Sequence, residues 1–135
     1  MTAKREPILV EGRSLGIAVL TVAQLLIGVI HLLLGIWLLS SENSFLHSAV
    51  AYDFYTIAFG TLTLFFGWLI WQGKRSGWIG TIAVSVFVSV ADALTVTNLP
   101  SIPGIPIFAA PTEIIYSIIV MVYLLQPHVK RKFWL

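Results

Sequence analysis

The sequence predicts an all-α, polytopic membrane protein: a bundle of four transmembrane helices threaded up-down-up-down. Three observations predict it. Of 135 residues, 58% are hydrophobic and 10% charged, with a mean hydropathy of +0.93, against about a quarter charged in an average soluble domain. Four separate stretches are each apolar enough to match a bilayer. All eight Lys and Arg fall on one side of such a bundle. The composition excludes disorder, which needs polar, charged chains, and disfavours a free-standing soluble enzyme. With no cysteine, disulfide frameworks, thiolate nucleophiles, iron–sulfur clusters and thiolate zinc sites are excluded.

A hydrocarbon core about 30 Å thick asks for roughly 20 apolar residues in helix. Residues 14–39, 49–71, 77–97 and 111–126 supply them as one domain spanning 1–135. The fourth stretch is the shortest and must tilt little or sit where the bilayer is thin. None alternates with period two, so a barrel is not indicated, and helices satisfy their own backbone groups in lipid. The first stretch is much longer than the apolar core of a secretion signal. It is followed by Ser40-Ser41-Glu42-Asn43, which offers no small-x-small cleavage site. It is read as a retained helix.

Short connections at 40–48 and at Lys74-Arg75 predict antiparallel helix pairs. The third connection, 98–110, differs. Pro100, Pro103 and Pro106 recur at the period of polyproline II, and with Gly104 and Pro111 they forbid a regular helix. It is read as a rigid connector on the outer interface, with a lid over the bundle mouth or a docking patch as the functional alternative.

Lys4, Arg5 and Arg13, then Lys74 and Arg75, then Lys130, Arg131 and Lys132 mark the three cytoplasmic segments, and the two opposite loops hold none. By the positive-inside rule both termini are cytoplasmic in a cell-membrane protein. Trp71, Trp78, Phe133 and Trp134 fit the aromatic belt at that interface. The net charge of +2 is therefore matched to the anionic inner leaflet, and nucleic acid is not an expected partner.

Small and polar residues form one stripe per helix. They are Thr21, Gln24, Gly28, His31 and Gly35; Asp53, Thr56, Gly60, Thr63 and Gly67; Gly77, Thr81, Ser85, Ser89 and Asp92; and, less regularly, Glu113, Tyr116, Ser117 and Tyr123. Residues three and four apart share a helix face. In lipid, helices meet through small residues and polar groups, so the stripes are expected to face one another.

Counting outward from each helix midpoint, His31, Asp53, Asp92 and Glu113 fall in one layer roughly 6–10 Å from the bilayer centre. These four are the candidate ligand-binding residues. An acid at a helix centre costs roughly 2.5–3.5 kcal/mol on insertion scales. The layer must therefore share protons, find partners, meet water or bind a cation. Each member also has a structural reading. Glu113 suits the start of a helix, Asp53 a wet vestibule, and His31 a hydrogen bond across the bundle; Asp92, deep in its helix, is the hardest to explain that way. His47 and His128 read as interfacial.

One deep histidine disfavours a bis-histidine haem, and the Glu-x-x-His pairs of a di-iron site are missing. One histidine with three carboxylates could hold a single Mn²⁺, Fe²⁺, Zn²⁺ or Cu²⁺, while a proton or small-cation site asks for less. There is no P-loop, nucleophile elbow, H-E-x-x-H or dinucleotide fingerprint. No catalytic residue and no cofactor are assigned.

The segments GIAVLTVAQLLIG at 16–28, WQGKRSGWIGTIA at 71–83 and YLLQPHVKRKF at 123–133 resemble a broad set of small prokaryotic, notably archaeal, four-helix membrane proteins of unassigned function. The resemblance implies the fold and no catalytic residues. Three functions follow as expectations. The first is an accessory or assembly subunit of a larger membrane complex, partnered by other membrane subunits or by itself. The second is a proton, cation or small-solute binding or transport protein. The third is a membrane-embedded lipid or quinone enzyme.

Overall fold

The computed structural model describes residues 9–10, 13–41 and 50–134. Lys4, Arg5, His47 and the rest of loop 42–49 lie outside them. A two-residue antiparallel ladder pairs β1 (Leu9–Val10) with β2 (Arg13–Ser14). Everything else regular is helical: α1 (Leu15–Ser40), α2 (Val50–Trp71), α3 (Arg75–Val96), α4 (Ala110–Leu125) and α5 (Pro127–Trp134). The first four begin and end within two residues of the apolar stretches.

Local chemistry sets the ends. The Ser14 hydroxyl caps α1 by accepting from the Ile17 amide at 3.4 Å. α2 closes in a Schellman turn: the Gly73 amide reaches the Ile70 carbonyl and the Lys74 amide the Leu69 carbonyl, with Gly73 at φ +72°. α3 ends the same way on Asn98 at φ +58°, with the Leu99 amide on the Leu94 carbonyl. Nothing surrounds Gly73 within 4 Å, so only its backbone angle forbids a side chain. Gly73→Ala is expected to lower stability by about 1–2 kcal/mol, the strain of a left-handed L-residue, read as a lower thermal midpoint; Asn98→Gly is expected to be neutral or slightly stabilising.

α1, α2 and α3 are each long and apolar enough to cross a membrane. α4 meets that test only together with α5, from which it is bent by 71°. Consecutive helices pack antiparallel. α1 lies on α2 through Gly28 and Gly60, whose backbones touch, and through Gly35 against the Asp53–Ile57 turn. α2 lies on α3, with Gly77 against Leu69 and Ile70. α3 lies on α4, where the Trp78 indole donates to the Leu124 carbonyl at 2.8 Å. The small residues permit the close approach that lipid-embedded helices need. The opposite faces remain apolar and outward, as at Leu26, Leu33, Trp37, Phe65 and Ile119.

The tail 127–134 was not expected to be a helix. Pro127 starts it, and Val129 and Phe133, one turn apart, are buried against Ile17, Leu20, Ile70, Trp78, Val120 and Leu124. This apolar cluster closes the end of the molecule that carries Lys74, Arg75 and Lys130–132.

Candidate functional site

The small-polar stripes point inward. Thr21, Gln24, Gly28 and Gly35 on α1 are buried, as are Asp53, Thr56, Gly60, Thr63 and Gly67 on α2. So are Gly77, Thr81, Ser85 and Asp92 on α3 and Ser117 on α4. Gln24 spans the interior to donate to the Thr81 hydroxyl at 3.3 Å. Next to this pair, a gap of about 10 Å³ among Thr63, Ser85 and Ser117 has about the room of one water. The Thr21 and Ser89 hydroxyls, the Gln24 carbonyl oxygen and the Tyr116 hydroxyl are buried without partners among the described residues. Buried polar atoms normally have a partner, so this file of them suits internal water.

The file leads to three of the four sequence candidates. His31 Nε2 lies 3.4 Å from Glu113 Oε1, joining α1 to α4, with both side chains about one-fifth exposed. The other ring nitrogen, Nδ1, is 2.8 Å from the Ile27 carbonyl. A carbonyl only accepts, so Nδ1 carries hydrogen and the Nε2 side alone is left to gain or lose a proton. The ring stands edge-on to Phe59 at 4.7 Å. Asp92, fully buried, lies beside Glu113, close enough to hydrogen-bond if one of them carried a proton, and within electrostatic reach of His31. As carboxylates both only accept, so among the described residues neither Asp92 oxygen has a donor.

Asp53 is placed differently. It is buried on α2 with Oδ2 unpartnered and its backbone carbonyl against Gly35. Among the described residues no three of His, Asp and Glu stand close enough to hold a metal. The four-residue layer is thus not a single coordination sphere.

Two residues escaped the sequence reading. Tyr52 lies within electrostatic reach of Asp53, Asp92 and Glu113, and Tyr55 of Asp92 and Glu113. Tyr55 stacks near Phe59 and Phe87 at 6.5 and 6.2 Å. Their spacing, Tyr52-Tyr55-Phe59, is the same three-four rhythm as the polar stripe, offset by one position; that offset was the available signal.

The loop after α3 covers this end. The Ser101 hydroxyl donates to the Ala91 carbonyl at 2.8 Å. Ile105 is buried with Ala91 and Ala110, and Tyr52, Tyr55 and Ile102 pack on that group. The proline-rich segment is therefore anchored onto the ends of α2, α3 and α4 through Ser101, Ile102 and Ile105, as a connector packed on the bundle. Between α1 and α4, a cavity of about 240 Å³ is lined by His31, Thr112, Glu113, Tyr116 and Ser117, with Ile27, Phe59 and Val88 as its apolar wall.

The site brings together two neighbouring carboxyls and one imidazole whose Nε2 faces Glu113, walled by aromatic rings. Compared with known proteins, the chain matches no protein family, no curated protein and no solved structure.

Proposed function

We propose that the protein is a four-span integral membrane protein of the cell membrane with cytoplasmic termini, and that its Asp92–Glu113–His31 centre takes up and releases one proton from the outer side. One observation carries the reading: Asp92 is fully buried, beside a second carboxyl, with no donor to either oxygen among the described residues. Two adjacent carboxylates in an apolar setting repel and are poorly solvated. One proton turns the pair into donor and acceptor, and His31 Nε2 offers the same proton a second seat. The route to that centre is the 240 Å³ cavity between α1 and α4, which His31 and Glu113 themselves line. A proton fits this centre better than a metal does, because the acids and the imidazole do not form a three-ligand group.

The opposite end is sealed by Ile17, Leu20, Ile70, Trp78, Val120 and Leu124. That packing favours proton exchange within a larger assembly over passage through the monomer. The accessory-subunit reading rests on that seal and on the outward apolar faces.

Infrared difference spectroscopy across a pH step, on the protein in lipid nanodiscs, tests the reading. A protonated-carboxyl band is expected to titrate, to vanish in Asp92→Asn and to move in Glu113→Gln. A spectrum without such a band, or one unchanged in both variants, overturns it.

A further inference from the structure

We propose that the end of the molecule bearing α5 holds a headgroup site for an anionic phospholipid, made where α5 folds back to set Lys130 beside Arg75 on the Trp78–Trp134 pair. The Arg75 guanidinium stands 4.1 Å from the centre of the Trp134 ring. Lys130 Nζ is 5.7 Å from the same ring and 5.6 Å from Trp78. The two indoles meet edge to face at 5.6 Å, and Trp78 is tied by its N–H to the Leu124 carbonyl. The two cations are thus held within about 10 Å of each other, inside one screening length. Lys74, Arg131 and Lys132 lie exposed nearby in sequence.

Each cation gains from an aromatic face, but the juxtaposition of like charges is unfavourable until an anion joins it. No acidic side chain among the described residues supplies one. Among the described residues the acids are Asp53, Asp92 and Glu113, all near the other ends of α2, α3 and α4, and the one ion pair is His31–Glu113. α3 has no acid in its first turn. The depth decides which anion fits. Tryptophans favour the headgroup level, and basic residues there attract anionic lipid. Ile79, next to Trp78, and Leu125, at the end of α4, are half exposed and apolar, as a lipid's chains require. α5 lies at 71° to α4, which directs its basic face along such a surface. The inference is independent of the Asp92 centre.

Native mass spectrometry of the full chain in detergent, with equal amounts of phosphatidylglycerol and phosphatidylcholine added, tests it. Wild type is expected to retain phosphatidylglycerol with roughly thirtyfold preference, the scale of two interfacial charges. Arg75→Gln with Lys130→Gln is expected to lose most of that preference, whereas Arg131→Gln with Lys132→Gln loses far less. Equal losses in the two double variants mean a general charge effect and overturn the site. Thermal unfolding provides a check on wild type alone. Phosphatidylglycerol is expected to raise the midpoint above that in phosphatidylcholine, and inorganic phosphate is not. An equal rise with inorganic phosphate overturns the lipid assignment, as does the absence of any rise with phosphatidylglycerol.

Discussion

Gly60→Ala is expected to weaken the folded protein by roughly 1–3 kcal/mol, the cost of overpacking, although alanine outranks glycine in a helix interior by about 1 kcal/mol. A methyl group on Gly60 would stand 2.6 Å from the Leu32 amide nitrogen and 2.7 Å from the Gly28 carbonyl oxygen. Both obstacles are backbone, so no side-chain rotation relieves them and α1 must move off α2. Gly67 is the internal control. A methyl there stands 3.2 Å from the Gln24 Cβ and 3.4 Å from its Oε1, a tight contact that a shift of a few tenths of an ångström relieves, so Gly67→Ala is expected to cost far less than Gly60→Ala. Thermal unfolding of both variants in one detergent gives the comparison. A Gly60→Ala midpoint equal to that of Gly67→Ala would contradict the backbone contact.

Trp78→Ala is expected to cost more, roughly 3–5 kcal/mol for a large buried side chain. The indole is buried among Ile17, Leu20, Val120, Leu124, Val129 and Phe133. It also satisfies the Leu124 carbonyl at the end of α4, which is left without that donor once the indole is gone. Trp134 and Lys130 lose their neighbour as well. The expected signature is local before it is global: faster hydrogen exchange at Val129–Phe133, together with a lower thermal midpoint. Trp78→Phe keeps most of the volume and removes the donor, so it isolates the hydrogen bond, about 1 kcal/mol net. If exchange in α5 is unchanged in Trp78→Ala, then Trp78 does not hold the helix in place.

How far the chain itself announces this arrangement differs from residue to residue. Hydrophobic runs of membrane length need no partner to be recognised, so α1 to α4 are legible, as is the inward aim of Gly28, Gly60, Thr81 and Asp92, because three-four spacing is a property of one helix. α5 is different. Val129 and Phe133 are one turn apart, but a run containing Lys130, Arg131 and Lys132 reads as a solvated tail until α3 and α4 present a surface for it. Ile105 is similar: an apolar residue between prolines is neutral as to whether it faces outward or down onto Ala91 and Ala110.

The candidate site divides along the same line. His31, Asp92 and Glu113 are visible as costly residues within apolar helices, yet spacing along three separate helices leaves open which of them meet. Packing brings Glu113 next to both His31 and Asp92 and keeps Asp53 on the Gly35 side. Tyr52 and Tyr55 become part of the group only through the rotation of α2 against α3 and α4.

Composition and periodicity, which depend on near neighbours in the chain, thus establish a helical protein with spans long and apolar enough for a membrane and with polar residues turned inward. Which acids share a neighbourhood, where the proline-rich segment folds and that the basic tail packs as α5 depend on contacts between residues far apart in the chain. Those contacts exist only once the helices have chosen their rotation and depth against one another.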